Sequence, residues 1–397
     1  MSTSSLRDKT YRIACETPIF DIHTHLVAPC FGSLNLWGID EVLTYHYLIA
    51  EFLRVRGDVS GDEFYSWPKA KQAAEIWDAL FVQRTPVSEA QAGVITIIHR
   101  LGFDPSTVSL EELRAHFRGL TAEEQIDRVF NLSGVSTVVM TNDPKDPAER
   151  AVWDGGYVAD PRFLTVLRLD QILANGDDDG NRSVSAISAY LTHWIERMKP
   201  VYVAISLPET WTFSEATLIR EAVLPVCLEH SLPFAMMMGV RRGVNPSLRG
   251  AGDGSGLADL TQLEMLLQEH PSNKFLVTTL AKENAHTLAV MARKFSNLMP
   301  FGCWWFVNNP SIIAEITDFR LEMLGTSFIP QHSDSRVLEH LIYKWDHSRR
   351  IIAKRLAKRY EALANSGYAV SDDQIRDDLA RLLHRNAEEF LSVASAV

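Results

Sequence analysis

The sequence predicts an α/β protein, and more specifically a (β/α)8 TIM barrel with a helical insertion after strand 1. Short apolar, β-branched segments recur along the chain, and amphipathic helical patterns fill most of the intervals between them. This alternation is typical of parallel strands joined by helices, and eight strand candidates are the number that closes such a barrel. No GxGxxG turn follows the first candidate, which argues against an open dinucleotide-binding sheet.

The eight candidate strands are segments of six to nine residues that are rich in apolar and β-branched side chains. They are TPIFDIH at 17, GVSTVVM at 134, RFLTVLR at 162, VYVAIS at 201, LPFAMMM at 232, NKFLVTT at 273, NLMPFGCWW at 297 and TSFIPQ at 326.

Composition indicates a globular protein with a large core. The 397 residues are 46% hydrophobic and 22% charged, and the 39 Lys and Arg against 50 Asp and Glu leave a net charge of −11. We predict one barrel domain over 1–397, with C-terminal helices over about 336–397. A Lys/Arg cluster at 349–359 has helical spacing and is expected to form a solvated face, so nucleic acid is not an expected partner.

The cysteines and the N-terminus predict a cytoplasmic protein. Cys15, Cys30, Cys227 and Cys303 form no CxxC pair, which argues against a zinc ribbon and a disulfide framework. The N-terminal segment lacks the apolar core of a signal peptide, and no stretch of about 18 apolar residues predicts a membrane helix. A homo-oligomer is compatible with the sequence but is not indicated by it.

Two histidines lie one residue apart at the predicted end of strand 1, in FDIHTHL at 20–26. Residues i and i+2 of a strand point to the same side, so His23 and His25 could converge on one metal ion. The alternative is a polar loop with two solvated histidines.

A carboxylate follows the last predicted strand, in IPQHSDSR. Barrel closure would make this strand a neighbour of strand 1, so that Asp334 joins His23 and His25. Three protein ligands with open positions are typical of one catalytic divalent metal, with zinc as the default and manganese or iron as alternatives. Asp334 could instead cap the helix that follows.

Two long segments are predicted to border the active site. The segment at about 36–132 reads as helices and would cap the site, because the loops that follow barrel strands build the active-site face. The Gly- and Arg-rich segment at 239–259 is a candidate mobile loop over the substrate. Its Arg241 and Arg242 are expected to face solvent.

Five motifs, in this order, resemble those of uronate isomerases of the amidohydrolase superfamily, and the resemblance covers about 17–360. VVMTNDPKD at 138 also resembles the second strand and turn of that family. The motifs are DIHTHL, TYHYL with His46 and Tyr47, TVLRLD with Arg168, FGCWWF with Trp304 and Trp305, and HSDSR with Asp334 and Arg336.

The chain departs from the family pattern at two positions. Met237 stands where the family carries a strand-five histidine, and Leu48 stands where many members carry a lysine. Substrate identity is therefore less constrained by the resemblance than the fold and the metal are.

The resemblance implies a metal-dependent aldose–ketose isomerase that acts on a hexuronate, from D-glucuronate to D-fructuronate or from D-galacturonate to D-tagaturonate. The implied substrate is thus a small sugar acid. The implied catalytic residues are His46, Tyr47, Asp334 and Arg336, and the implied substrate-binding residues are Arg168, Arg336, Trp304 and Trp305.

The residue types suit this chemistry. Arg168 and Arg336 offer planar, bidentate partners for a sugar carboxylate. His46 and Tyr47 are candidates for proton transfer and hydroxyl binding, although either could be packed inside the insertion.

Strand alternation predicts that at most one of Trp304 and Trp305 faces the lumen. His332 is a candidate for a supporting role beside Asp334.

Two other function classes stay open. The same barrel could host a metal-dependent hydrolase or decarboxylase that acts on a related acid, although Met237 argues against the common hydrolytic arrangement. A non-catalytic sugar-acid binder would not need the complete set of metal ligands.

Overall fold

The computed structural model describes residues 5–394. Residues 1–4, and 395–397 of the predicted C-terminal helices, lie outside the described residues. The strands are short, and most follow the predicted apolar segments. They are β1 Ile19–Asp21, β2 Val135–Val139, β3 Phe163–Leu164, β4 Val166–Arg168, β5 Tyr202–Pro208, β6 Phe234–Arg241, β7 Gly254–Ser255, β8 Phe275–Thr279 and β9 Leu298–Pro300.

The strands pair in parallel, which confirms the predicted α/β class; β7 alone among the described strands pairs antiparallel, with β6. One sheet has the order β1-β2-β3, and the other has the order β4-β5-β6-β8-β9. An isolated parallel bridge between Asn142 and Leu167 joins the two sheets. At the other edge, the backbone N–H of Asp334 donates to the carbonyl of His23 at 3.1 Å. At each of these two junctions, two backbone hydrogen bonds rather than a continuous ladder connect the edges.

The predicted eighth strand, TSFIPQ, contributes only a bridge between Ile329 and Phe301. Pro330 follows directly, and a proline has no N–H to continue a ladder. The segment still runs beside β9, because the N–H of Ile329 donates to the carbonyl of Pro300 at 3.1 Å. The chain after it is thereby delivered next to β1.

Seven helices lie between β1 and β2, in the segment predicted to be a helical insertion. Capping boxes explain two of their starts, at Ser109 with Glu112 and at Thr121 with Glu124. The last of them ends at Gly134, whose φ of 71° suits glycine. After α1 Leu6–Glu16, these helices are α2 Ile39–Leu43, α3 His46–Val55, α4 Gly61–Ser66, α5 Lys69–Trp77, α6 Glu89–Arg100, α7 Leu110–Phe117 and α8 Ala122–Ser133.

The other helices connect the strands or follow the last one. They are α9 Pro147–Asp154, α10 Asp170–Asn175, α11 Val184–Met198, α12 Leu224–Glu229, α13 Leu260–Glu269, α14 Glu283–Ala292, α15 Pro310–Leu324, α16 His340–Asn365, α17 Asp372–Ala380 and α18 Asn386–Leu391. Shorter 3-10 turns lie at Pro29–Leu34, Phe213–Glu215, Pro246–Gly252 and Trp305–Val307, and π-helical turns lie at Asp78–Val82, Ile219–Val223 and Arg381–Arg385. Over residues 5–394, no helix combines the length and apolar character that a membrane crossing requires.

Two apolar clusters lie on opposite sides of the strands. On β5, Tyr202 and Ala204 pack in one cluster, together with Ala235 of β6. Val203 and Ile205 point the other way, into the larger cluster that the helices share. Strands buried on both faces explain why these segments read as continuous apolar runs rather than as alternating patterns.

The expected solvated face at 349–359 is wrong for Arg349, which is buried and donates from Nη2 to the carbonyl of Ser133 at 3.2 Å. This carbonyl lies in the last turn of α8, where carbonyls lack helical partners. Arg349 therefore ties α16 to the end of α8.

Candidate active site

His23, His25 and Asp334 come together just beyond the end of β1. His23 Nε2 lies 3.6 Å from Asp334 Oδ1, and His25 Nε2 lies 3.4 Å from the same oxygen. One ligand atom from each residue fits within 4.8 Å of the others. The structure thus brings together all three predicted metal ligands.

The unpartnered atoms of this cluster fit a divalent metal. His23 Nε2 and Asp334 Oδ1 are buried and have no hydrogen-bond partner among the described residues. Buried polar atoms are nearly always paired, so two that face each other without partners indicate a site for a cation. Two imidazole nitrogens and one carboxylate oxygen are a common donor set for catalytic zinc and related metals.

The backbone holds Asp334 in an uncommon conformation, with φ at 55°. A non-glycine residue keeps such a conformation only where its surroundings determine it. Here Ser333 N–H donates to Asp21 Oδ1 at 3.0 Å, and Asn308 Nδ2 donates to the carbonyl of His332 at 3.1 Å. The alternative helix-cap role for Asp334 is wrong, because α16 begins six residues later, at His340.

Burial sets the charge of these groups. Desolvation lowers the pKa of His23 to about 3 and holds the pKa of His25 well below its usual range. Both imidazoles are therefore neutral near pH 7, which is the form that binds metal. Burial raises the pKa of Asp334, and the charge of the neighbouring Arg336 opposes this shift.

The cluster lies at the base of a cavity of about 400 Å3. The walls come from the ends of several strands, from α3 and α4, and from the segment after β6. The lining residues include His23, His25, Tyr45, His46, Tyr65, Arg168, Ser206, Met237, Arg242, Arg249, Asp253, Trp304, Trp305, Asp334 and Arg336.

Among the residues that the resemblance implied, His46 lines this cavity and Tyr47 does not. The ring of Tyr47 instead lies 5.5 Å from the ammonium of Lys344 and meets Tyr45 edge-on at 5.1 Å. Tyr45 takes its place in the wall, immediately before the first residue of α3. Consecutive helical residues point about 100° apart, so adjacency in TYHYL could not tell which tyrosine faces the site.

Both Trp304 and Trp305 line the cavity, so the expectation of at most one was wrong. That expectation assumed a strand through both residues. β9 ends earlier, at Pro300, and Trp305 starts a 3-10 turn with φ at 46°. Strand alternation therefore does not apply to this pair.

Arg168 and Arg336 both reach the cavity but differ in what binds them. Arg168 donates to Asp170 from Nε at 2.8 Å and from Nη2 at 3.2 Å, and it also donates to Ser206 Oγ at 3.0 Å. Arg336 is exposed and has no hydrogen bond or ion pair within residues 5–394. Its guanidinium is thus the one of the two that is open to a substrate carboxylate.

Sequence reasoning missed the residues at the mouth of the cavity. Arg242 was expected in solvent; it lines the cavity, although more than half of its side chain is exposed, and donates to Asp253 Oδ2 at 2.5 Å. Arg249 lies 4.4 Å above the ring of Tyr65, whose hydroxyl donates to the carbonyl of Leu248 at 2.7 Å. The Gly- and Arg-rich composition of 239–259 was the feature of the sequence that could have indicated arginines at the cavity.

His332 is fully buried beside the cluster, and its ring centroid lies 5.1 Å from that of His23. Neither of its ring nitrogens has a hydrogen-bond partner among the described residues. Its imidazole therefore packs against His23 without orienting it through a hydrogen bond.

Comparison with known proteins gives structural matches. No family model matches the chain, and no curated protein matches it. The crystal structure of a uronate isomerase from Bacillus halodurans C-125 superposes with a TM-score of 0.95 and 48% sequence identity, covering 99% of this chain and 98% of that chain.

Two further matches, both 16% identical to this chain, show the fold alone. They are a uronate isomerase from Thermotoga maritima, with a TM-score of 0.77 over 97% of both chains, and a glucuronate isomerase from Caulobacter crescentus, with a TM-score of 0.72 over 99% of this chain and 96% of that chain.

Proposed function

Because this chain belongs to the uronate isomerase family, we propose that its cavity interconverts the aldose and ketose forms of a hexuronate with the help of one divalent metal. The observation that carries the proposal is a single cavity that brings together three metal-ligand side chains, two of them with buried ligand atoms that lack a hydrogen-bond partner among the described residues, and the guanidinium of Arg336. The proposed metal ligands are His23, His25 and Asp334, with zinc as the default metal.

The reaction moves a proton from C2 to C1 of the sugar while the carbonyl moves from C1 to C2. It needs a group that accepts and returns the proton, and charges that stabilise the enediolate between the two forms. A bound divalent metal supplies a Lewis acid for the substrate oxygens. The remaining requirements fall to the side chains of the cavity.

Arg336 is proposed to bind the substrate carboxylate. Its guanidinium has no hydrogen-bond partner among the described residues, and a guanidinium and a carboxylate match in a planar, bidentate geometry. Arg168 is proposed to bind substrate through its remaining N–H groups while Asp170 and Ser206 hold it in place.

His46 is proposed to carry the proton. Its Nε2 is buried and has no partner in the described part of the chain, and burial lowers the pKa of His46 to about 3, so the imidazole is neutral and able to accept a proton. A bound anionic substrate would raise this pKa toward its ordinary value, because a nearby negative charge favours the imidazolium. Burial keeps the pKa of Tyr45 well above its ordinary value, so its hydroxyl stays a hydrogen-bond donor.

The insertion is proposed to cap the site within a single domain that spans the chain. Tyr45, His46 and Tyr65 come from it and line the cavity. The buried ammonium of Lys344 donates to Glu89 Oε1 at 2.8 Å and so ties α16 to α6 of the insertion. A cytoplasmic location stays part of the proposal, supported by four cysteines that are free in the structure.

The deciding experiment incubates D-glucuronate or D-galacturonate with the protein in deuterated water, with Zn2+, Mn2+ or Fe2+, and follows the sugar by NMR. We expect a ketose product without chain cleavage. Original hydrogen kept at C1 would indicate shielded transfer, and deuterium at C1 would indicate exchange at the base; both fit isomerisation. If a lactone or a decarboxylatable acid were consumed while every uronate stayed unchanged, the proposed isomerase activity would be wrong, and a hydrolase or decarboxylase activity would take its place.

A further inference from the structure

The hydroxyl of Tyr202 lies between two groups of the segment directly after β1, which carries His23 and His25. It donates to the carbonyl of Ile22 at 2.9 Å, and it lies 3.2 Å from His23 Nδ1. A phenol has one proton, and a backbone carbonyl can only accept one. Because the phenol donates that proton to the Ile22 carbonyl, it can only accept in its hydrogen bond with the imidazole. That bond therefore runs from His23 Nδ1–H to the phenol oxygen.

This direction decides which nitrogen of His23 is free. A neutral imidazole carries one N–H, so a proton on Nδ1 leaves the lone pair on Nε2. Nε2 is the buried atom without a hydrogen-bond partner in the described structure, and it faces Asp334 Oδ1 at 3.6 Å. We propose that Tyr202 is a positioning residue that holds His23 in the Nδ1–H tautomer, so that Nε2 is preset as a metal ligand.

No other described side chain is hydrogen-bonded to this imidazole, and the carboxylate of Asp334 lies on its Nε2 side, at 3.6 Å. The rings of His25, Phe301 and His332 approach His23 with centroids 5.5, 6.5 and 5.1 Å away, and none is hydrogen-bonded to it. Tyr202 is itself fully buried in the apolar cluster that holds Ala204 and Ala235, where β5 alternation places it. Its hydroxyl is thus held at a fixed position opposite the metal-facing side of His23.

The inference rests on the metal of the proposed function, and Zn2+ alone tests it. The protein is stripped of metal with a chelator, and its affinity for Zn2+ is measured by competition with a chromophoric chelator. Loss of a group that orients a ligating histidine typically costs 10- to 100-fold in metal affinity, so we expect Tyr202→Phe to weaken Zn2+ binding by about that factor. At saturating Zn2+, most of the turnover should return, because all three ligands are still present.

Tyr360→Phe is the matched control. Tyr360 is also buried, and its hydroxyl donates to Asp378 Oδ2 at 2.7 Å, between α16 and α17. We expect this variant to lose stability without losing Zn2+ affinity. Equal Zn2+ affinity in Tyr202→Phe and wild type would overturn the role of Tyr202, whereas a wild type that binds no Zn2+ would instead refute the metal of the proposed function.

A second measurement uses metal-free protein and does not depend on metal binding by a variant. In metal-free wild-type protein with 15N-labelled histidine, the ring signals of His23 are identified by their loss in His23→Gln. We expect its ring proton on Nδ1 and an unprotonated Nε2. A proton on Nε2 would overturn the inference even if Tyr202→Phe fails to fold.

Discussion

The guanidinium of Arg168 is held by the carboxylate of Asp170 through two hydrogen bonds, from Nε to Oδ2 at 2.8 Å and from Nη2 to Oδ1 at 3.2 Å. The two residues lie at the end of β4 and the start of α10. The arginine thus enters the cavity already oriented, and its charge is balanced before any substrate arrives.

Arg168→Lys is expected to lower kcat/KM for a uronate by roughly 10²-fold while leaving metal content unchanged. Lysine keeps the charge but cannot bind Asp170 at two points and still reach Ser206. Lost charged hydrogen bonds of this kind cost about 2 to 3 kcal/mol in transition-state binding.

Arg162→Lys is the control, because Arg162 binds Asp160 in the same bidentate way, at 3.1 and 2.9 Å, outside the cavity lining. Steady-state kinetics of both variants are compared. Equal losses in kcat/KM would show that Arg168 has no specific role in binding the substrate or its transition state.

Arg336→Lys is expected to raise KM for a uronate, because the free fork that would hold the carboxylate is lost. The loss in kcat/KM should be roughly 10²-fold for the uronate and much smaller for the corresponding uronamide, which carries no charge. Kinetics with both substrates test this, and the same loss for acid and amide would show that Arg336 does not bind the carboxylate.

Asp334→Asn is expected to remove metal and activity together. The wild type should hold about one divalent ion per chain, since a three-ligand centre is completed by water or substrate. Elemental analysis after dialysis measures the content. Asp253→Asn is the control, because Asp253 is another carboxylate of the cavity wall and pairs with Arg242 instead. Wild-type metal content in Asp334→Asn would exclude Asp334 as a ligand.

The stability of the protein should depend on His347 in mild acid. Burial lowers the pKa of His347 to about 3, against an ordinary value of 6.5, so between these pH values the unfolded chain binds a proton that the folded chain does not. Folding stability from this group is therefore present above pH 6.5 and is lost as the pH falls toward 3. At pH 5 the loss should be about 2 kcal/mol relative to pH 7.

Urea unfolding of wild type and His347→Gln from pH 7 to pH 5 measures this contribution, with His193→Gln, at an exposed position, as the control. The difference in unfolding free energy between wild type and His347→Gln should shrink by that amount as the pH falls. A difference that stays constant with pH would contradict the prediction.

Gly61→Ala should disturb the mouth of the cavity. A Cβ at Gly61 would lie 2.0 Å from the carbonyl oxygen of Ser247, so α4 would have to move away from the 246–252 turn that carries Arg249. We expect a loss of about 1 to 3 kcal/mol in unfolding free energy and a raised KM. Gly57→Ala, where a Cβ meets nothing within 4 Å, is the control, and matching KM values in the two variants would show that this contact does not shape the site.

Local sequence determined the elements and part of the site. Continuous apolar runs identify strands such as β2, β5 and β8, because a strand covered on both faces needs no polar alternation. The HxH spacing places His23 and His25 together, because two residues of extended chain already bring their side chains to one side. The motifs carry the family resemblance through the same short-range spacing.

Tertiary structure decided which side chains face the cavity and which are already bound. Asp334 meets His23 across 311 positions of the chain, at a turn held by Asp21 and Asn308. Tyr45 rather than Tyr47 reaches the wall. These outcomes depend on how α3 packs and where the strands end, and such distant contacts leave no periodic mark in a single sequence. Spacing could therefore place His23 and His25, and the order of the strands indicated Asp334, whereas the walls around these ligands required the packed chain.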